Sequence, residues 1–246
     1  MRKLISIIHL TIGLIAFFTI MLIVLPFIIL LSYLPGKYGA TLPFGLLRFW
    51  SFSFAAISGF YFKTIRNSKL KSDQTYIYVC NHGSYLDAPA VVLATPNAFK
   101  PLGKIEMSKI PFFGFIYKRV VVTLDRSDKE SRAASVEKLK KVLADGISIL
   151  IFPEGTMNTT PNALKDFYDG AFRIAIETQT PIAPFVLINA RKLMPRKDPL
   201  AIKPGLIKAI FADPISVEGY EMEDLEKLKL KVYNEMERLI LSQEKQ

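Results

Sequence analysis

Cysteine and histidine are scarce in this sequence of 246 residues, which has one cysteine and two histidines. A single cysteine excludes an internal disulfide, and so few thiols and imidazoles provide no ligand set for zinc or an iron–sulfur cluster. We therefore predict no metal site. If the chemistry needs a histidine base, the candidates are His9, in an apolar run, and His82, which follows a strand-like segment.

Acidic residues are absent before Asp73, although the whole chain has a net charge of +10. The basic residues before Asp73 flank apolar runs and do not form a stripe with exposed aromatic residues, so nucleic-acid binding is a poor interpretation. Attraction to anionic lipid headgroups, about 1 kcal/mol per charge, is a better one. The cations are Arg2, Lys3, Lys37, Arg48, Lys63, Arg66, Lys69 and Lys71.

Long apolar runs dominate the N-terminal region. Residues 4–34 contain no Lys, Arg, Asp or Glu and exceed the roughly 20 residues that a spanning helix requires. A second run, 42–62, contains Arg48 and Trp50. Cations at both outer ends favour a two-helix hairpin with its ends on the cytoplasmic side of the inner membrane. The alternative is one spanning helix followed by a core helix of the globular domain.

We predict two regions, a membrane-attaching motif at 1–72 and a globular domain at 73–246. Helices are predicted at 129–145 and 170–178 and in an amphipathic C-terminal segment. Alternation of these helices with strands favours an α/β fold, a mostly parallel mixed sheet flanked by helices. The strands are predicted at 75–80, 118–124, 147–152, 182–188 and 206–211.

The segment 81–87, Asn-His-Gly-Ser-Tyr-Leu-Asp, holds the most informative pair of side chains. Positions five apart on a helix are separated by about 140°, so His82 and Asp87 meet only if the chain turns between them. Gly83 permits such a turn, and Asp87-Ala88-Pro89 is typical of a helix start. On spacing alone, the favoured interpretation is that Asp87 is only a helix cap and His82 an ordinary loop residue.

Further motifs follow in a fixed order. A buried strand runs into the turn Phe152-Pro153-Glu154-Gly155-Thr156, and a proline-bearing segment, 181–184, begins a later strand. Lys104, Gly114 and Arg126 lie between the segment 81–87 and the turn at 152–156. Each signal is weak alone, but together they are specific.

With these motifs, the chain resembles the glycerolipid acyltransferase family, in particular the bacterial lysophosphatidic acid acyltransferases. The resemblance covers residues 75–215 and the apolar N-terminus, and it implies a glycerol-3-phosphate acyltransferase-like fold. The family's His-x4-Asp block matches His82 and Asp87, its second block 114–126, its third 152–156 and its fourth 181–184.

The resemblance implies transfer of an acyl group from acyl-CoA or acyl-carrier protein to a lysophospholipid hydroxyl in the membrane, without a cofactor. His82 would be the general base, and Asp87 would orient it. Lys104 and Arg126 would bind the acceptor's phosphate, with Glu154, Gly155 and Thr156 also substrate-binding. Supporting roles are implied for Asn81, Ser84, Gly114, Phe152, Pro153, Gly170 and Pro184.

Two positions depart from the family pattern. Met157 and Tyr168 stand where the family commonly has an arginine and a lysine. Arg173 or Lys165 would then compensate, or the acceptor is a lyso-aminolipid of the ornithine- or glycine-lipid type. A hypothesis of another class is a non-catalytic lipid-binding scaffold, although a scaffold would not need the His82–Asp87 pair.

Overall fold

A computed structural model describes residues 2–66, 69–125 and 128–244. The helices are α1 Arg2–Leu31, α2 Tyr38–Ile57, α3 Asp87–Ala94, α4 Phe113–Val120, α5 Lys129–Ala144, α6 Gly170–Thr178, α7 Ala190–Leu193 and α8 Leu225–Glu244. The strands are β1 Phe60–Ile65, β2 Ile77–Cys80, β3 Phe99–Lys104, β4 Val122–Leu124, β5 Ser148–Ile151, β6 Ile182–Ile188 and β7 Gly205–Phe211. Short 3-10 turns are formed by Ile105–Lys109, Pro199–Ala201 and Met222–Asp224.

The seven strands form one mixed sheet in the order β1-β7-β6-β2-β5-β3-β4. The only antiparallel pair among the described strands is β6 with β7. The strands β2, β5, β3, β4 and β6 therefore all end at the same edge of the sheet, which we call the carboxyl edge. The predicted class, a mostly parallel mixed sheet flanked by helices, is confirmed.

Two strands are missing from the sequence-based prediction. β1 continues an apolar run that favoured a helix, and β3 contains Pro101 and Gly103, which are poor strand formers. β1 pairs with β7, so the sheet includes residues that we assigned to the N-terminal motif. The division predicted at 72/73 therefore does not coincide with the border of the sheet.

Helices cover both faces of the sheet. On one face, Leu139 of α5, Phe172 of α6 and Val232 of α8 are fully buried in a single cluster. The helices predicted at 129–145 and 170–178 are present, and Asp128 caps α5 by accepting from the backbone of Glu130 and Ser131. The amphipathic C-terminal segment forms α8.

The opposite face of the sheet is covered by α2 and α3. Phe44 of α2 and Val91 of α3 lie in one cluster with Tyr78 and Phe185 of the central strands. Because α2 also packs against α1, it belongs to the N-terminal helix pair and to the wall of the globular domain. The two sequence-based alternatives for this segment are therefore not exclusive.

α1 and α2 pack side by side, joined by a short connection. By length and composition both are able to cross a membrane, and most of their residues are not buried within the protein. α1 buries only one stripe, which packs around Trp50 of α2 and Ile116 of α4. Its other side chains, such as Ile5, Ile15 and Leu30, are exposed. This pair of apolar helices is consistent with membrane association.

Candidate active site

His82 and Asp87 are in direct contact at the carboxyl edge. His82 follows β2 by two residues, and the chain then turns so that Nδ1 of His82 lies 2.8 Å from Oδ2 of Asp87. Asp87 is 1% exposed, whereas the imidazole remains about one-fifth exposed. A buried carboxylate at Nδ1 fixes the ring orientation and favours the tautomer that carries its proton on Nδ1.

A single oxygen of Asp87 also holds the loop between the two residues. Oδ2 accepts from the backbone N–H of Gly83 at 2.7 Å and of Ser84 at 2.9 Å, in addition to the imidazole. Asp87 is the first residue of α3, but its side chain binds the preceding loop and makes no cap. The interpretation of Asp87 as only a helix cap is therefore wrong, because the carboxylate already accepts from residues 82–84. These residues belong to the segment 81–87, which we call the histidine loop.

Glu154 supports the same loop from the neighbouring strand β5. One carboxylate oxygen accepts from the backbone N–H of His82 at 2.8 Å, and the other accepts from that of Lys165 at 2.9 Å. Glu154 is 1% exposed. Burial raises the pKa of Glu154, and the two backbone hydrogen bonds oppose that increase.

The imidazole of His82 is packed on one side and open on the other. Phe152 stacks on it, with ring centroids 4.2 Å apart and an angle of 20° between the planes. The backbone N–H of Asn158 donates to the carbonyl of His82 at 2.6 Å. Within the part of the chain that the structure describes, Nε2 has no hydrogen-bond partner. Nε2 is thus the nitrogen available to a substrate proton.

Two further residues of the loop have structural contacts. The side-chain amide of Asn81 donates to the carbonyl of Leu187 and accepts from its N–H, so it extends the pairing of β2 with β6. The hydroxyl of Ser84 is buried and donates to the carbonyl of Met194 at 2.9 Å. Cys80 is fully buried, and burial raises the pKa of its thiol, so it is a core residue and not a nucleophile.

This geometry coincides with a family match. Residues 62–188 match the model of the family described as Acyltransferase, which spans more than half of the chain. The chain belongs to the acyltransferase family. The matched segment contains the histidine loop, Glu154 and both strands that carry them.

Curated relatives of the family are 1-acyl-sn-glycerol-3-phosphate acyltransferases. The one from Cocos nucifera is 32% identical over 166 residues, which is 66% of this chain and 52% of the relative. The one from Helicobacter pylori is 30% identical over 167 residues, which is 65% of this chain and 70% of the relative. The chain spans only about half the length, or less, of the plant relatives it matches.

A crystal structure shares the whole fold. The 1-acyl-sn-glycerophosphate acyltransferase PlsC from Thermotoga maritima superimposes with a TM-score of 0.78, covering 100% of this chain and 99% of the other. The two sequences are 22% identical, so the likeness concerns the fold. It includes the N-terminal helices as well as the sheet.

The residues predicted to bind phosphate lie on the β3–β4 side of the carboxyl edge or outside the described residues. Lys104 ends β3, is exposed, and lies two strands away from β2. Arg126 lies outside the described residues. Gly114 is the second residue of α4, where a Cβ would clash with the carbonyl oxygen of Ser108. Gly114 therefore allows α4 to pack closely on the preceding 3-10 turn.

The other predicted residues have contrasting surroundings. Glu154 is buried with both oxygens accepting from backbone N–H groups, which agrees with a role in ordering the histidine loop, and its assignment to substrate binding stays a prediction. Gly155 turns the chain with a φ of +69°, which favours glycine. Thr156 is exposed and accepts from Nζ of Lys165 at 2.8 Å.

The three remaining supporting residues are placed as follows. Pro153 is buried, and its carbonyl accepts from the N–H of Tyr168. Gly170 begins α6. Pro184 lies inside β6 and not at its start, with its carbonyl bound to the N–H of Ala212.

Sequence reasoning missed the segment after β6. Arg191 donates to the carbonyl of Thr160 at 2.9 Å, and Arg196 donates to the hydroxyl of Tyr85 at 2.9 Å. Both arginines therefore lie against the motifs around His82. Their separation of more than 100 positions from that loop left no signal in the spacing of residues.

Proposed function

We propose that the protein transfers a fatty acyl group from acyl-CoA or acyl-carrier protein to the sn-2 hydroxyl of 1-acyl-glycerol-3-phosphate. The product is phosphatidic acid, a precursor in phospholipid biosynthesis. One observation carries this proposal: the imidazole of His82 is fixed by Asp87 at Nδ1 and left open at Nε2. Family membership and the names of the curated relatives support the acceptor.

The proposed reaction is a direct transfer. Nε2 of His82 accepts the hydroxyl proton while the oxygen attacks the thioester carbonyl and forms the new C–O bond. The C–S bond then breaks, and the leaving thiolate takes the proton from the imidazolium. Asp87 stabilises that cation, and Phe152 shields one face of the ring from water. No covalent acyl-enzyme and no cofactor are needed.

The N-terminal helices are proposed to hold the carboxyl edge against the bilayer. α1 contacts both α4 and the 3-10 turn Pro199–Ala201, which lies between the end of β6 and the start of β7. Exposed apolar side chains next to α1, Phe112 and Phe115, extend the apolar surface onto the globular domain. The N-terminal cations favour the cytoplasmic face of the inner membrane.

A panel of acceptors tests the proposal directly. Purified full-length protein in phospholipid vesicles would be given labelled acyl-CoA or acyl-carrier protein with one acceptor at a time. The acceptors are 1-acyl-glycerol-3-phosphate, a zwitterionic lysophospholipid, a monoacylglycerol and a lyso-ornithine lipid. We expect turnover with 1-acyl-glycerol-3-phosphate to exceed that with the others.

The variant His82→Ala gives the chemical control. It should remain in the vesicles and lose about 10²–10⁴-fold in kcat, because a positioned base supplies about that factor. The matched control is His9→Ala, since His9 lies in α1, where it hydrogen-bonds the carbonyl of Ser58 and packs against the ring of Phe60. Near-normal transfer by His82→Ala would reject the mechanism, and preference for the lyso-ornithine lipid would reject the acceptor. Lipid binding without turnover of any acceptor would favour a scaffold.

A further inference from the structure

Three cations lie around the histidine loop and form no salt bridge among the described residues, although the charge of Lys165 acts to lower the pKa of Glu154. Lys165, Arg191 and Arg196 form what we call the cationic rim. Their recorded side-chain contacts are all with neutral groups: a threonine hydroxyl, a backbone carbonyl, a tyrosine hydroxyl and a thioether. None of the three forms an ion pair with another described residue. The rim therefore retains its positive charge for a ligand.

Arg196 reaches the turn that follows β5. Its Nη1 lies 3.5 Å from Sδ of Met157, the residue after Thr156. The same guanidinium lies over the ring of Tyr85, 5.1 Å from the centroid. Tyr85 belongs to the histidine loop, so Arg196 brings a charge from the segment after β6 to the side of the catalytic pair.

The backbone that carries these arginines is fixed to the same loop. The hydroxyl of Ser84 donates to the carbonyl of Met194, which lies between the two arginines in the sequence. The aliphatic part of Arg191 packs against Gly83, where an added Cβ would lie 3.4 Å from Cβ and Cδ of the arginine. Movement of the rim relative to His82 is thereby restricted.

Each guanidinium keeps most of its hydrogen-bonding capacity. A guanidinium has five N–H donors, and the hydrogen bonds of Arg191 and Arg196 with the described residues use only Nη1. Fixed guanidiniums with free donors suit the several oxygens of a phosphate. A purely structural role would not require two such groups, both unpaired with acids, beside a half-open histidine.

We propose that Arg191 and Arg196 bind the phosphate group of a substrate beside His82. The inference rests on the proposed function and assigns its phosphate subsite. The phosphate comes from the lysolipid headgroup or from the CoA of the donor. Lys165, held by Thr156, adds charge to the same subsite.

Steady-state kinetics of Arg196→Gln and Arg191→Gln test the assignment. We expect the KM for 1-acyl-glycerol-3-phosphate to rise about tenfold to a hundredfold in each variant, because a charge-assisted hydrogen bond is lost. The kcat should change much less, and the KM for acyl-CoA should stay constant. Arg196→Lys should recover part of the affinity, since it keeps the charge without the fork of donors.

The matched control is Arg238→Gln, which removes the same charge from α8. Arg238 pairs with Glu235 and lines a surface with Asp213, which follows the end of β7 at the opposite edge of the sheet. This variant should keep both KM values. A rise in the KM for acyl-CoA alone would assign the rim to the donor's phosphate, whereas unchanged KM values for both substrates would overturn the proposal.

A binding measurement separates this inference from the proposed function. Glycerol 3-phosphate should raise the Tm of the wild-type protein and of Arg238→Gln, and should do so much less for Arg196→Gln. Equal shifts in all three proteins would overturn the phosphate subsite. A selective shift combined with no acyl transfer to any lysolipid would keep the subsite and reject the proposed reaction.

Discussion

The carboxyl edge of the sheet has two halves that differ in how they hold their functional side chains. In the inner half, at the ends of β2, β5 and β6, the histidine loop is tied down by two buried carboxylates, Asp87 and Glu154. In the outer half, at the ends of β3 and β4, Lys104 is exposed and the segment 105–116 presents apolar side chains to the surroundings.

The difference separates the two tasks of the proposed reaction. Proton transfer requires an imidazole at a fixed orientation, and burial of its partner makes each hydrogen bond stronger than in water. Admitting the acyl chains of a lipid requires accessible apolar surface. The inner half therefore has the features of a reaction centre, and the outer half those of an entrance from the membrane.

The largest effect is expected for Asp87→Asn in the inner half. All three hydrogen bonds of Asp87 go to one oxygen, so an amide oxygen is able to replace it and preserve the loop. The negative charge beside the imidazolium is lost, so we expect kcat to fall about 10²–10⁴-fold with little change in Tm. Acyl transfer rates and thermal unfolding of the same preparation provide the measurement.

A matched control is Asp128→Asn, at the cap of α5. Asn and Asp are similarly good caps, and among the described residues the side chain of Asp128 accepts from the backbone N–H groups of Glu130 and Ser131. Its activity should be close to that of the wild type. If Asp87→Asn were equally active, the inner half would not act through the charge of its carboxylate.

Glu154→Gln should lower the stability of the fold, which Asp87→Asn should leave nearly unchanged. Here each oxygen accepts from a different backbone N–H, so an amide must turn one NH2 group toward a donor. We expect a loss of stability of about 1–3 kcal/mol, because one buried N–H is left unsatisfied. For a domain of this size the Tm should fall by about 2–4 °C per kcal/mol.

Activity of Glu154→Gln should fall as well, since the backbone of His82 loses one of its supports. The isosteric pair Asp87→Asn and Glu154→Gln thus distinguishes charge from hydrogen-bond geometry within the inner half. An unchanged Tm for Glu154→Gln would show that the two backbone contacts do not stabilise the fold.

A smaller effect is expected for Lys104→Gln in the outer half. The ammonium is exposed and makes no ion pair with another described residue, so its removal should leave Tm unchanged. We expect the KM for 1-acyl-glycerol-3-phosphate to rise a few-fold, about 1 kcal/mol or less, because an exposed charge is screened by water and salt. A kcat loss comparable to that of Asp87→Asn would contradict the division into two halves.

The smallest effect concerns pH. Burial raises the pKa of Glu154, so the folded state binds this proton more tightly than the unfolded state. The free energy of unfolding of the wild type should therefore exceed that of Glu154→Gln most in acid. This difference should decline as the pH rises from about 4.3, the pKa of an unfolded glutamate, toward the raised pKa of Glu154 in the folded state. Tm values of both proteins between pH 4 and 8 check this, and a difference that grows with pH would contradict it.

The sequence alone determined much of the fold, and three helices were predicted accurately, whereas the strand predicted at 118–124 overlaps the end of α4 and is a strand only at Val122–Leu124. α5, α6 and α8 are marked by local signals: a cap at Asp128, a stop at Gly146 and apolar residues at helical spacing. The strands β1 and β3 were missed because β1 continues an apolar run that favours a helix and β3 contains a proline and a glycine. β1 becomes one by pairing with β7, more than 140 residues away.

For the candidate site, the sequence indicated that His82 and Asp87 meet, since histidine is scarce and Gly83 permits a turn between them. Only the tertiary structure decided that Asp87 uses one oxygen for three donors, that Glu154 is buried behind the loop, and that Arg196 lies beside Met157. These contacts join residues from different strands of the sheet. Their positions depend on which strands are neighbours, and no spacing along the chain records that.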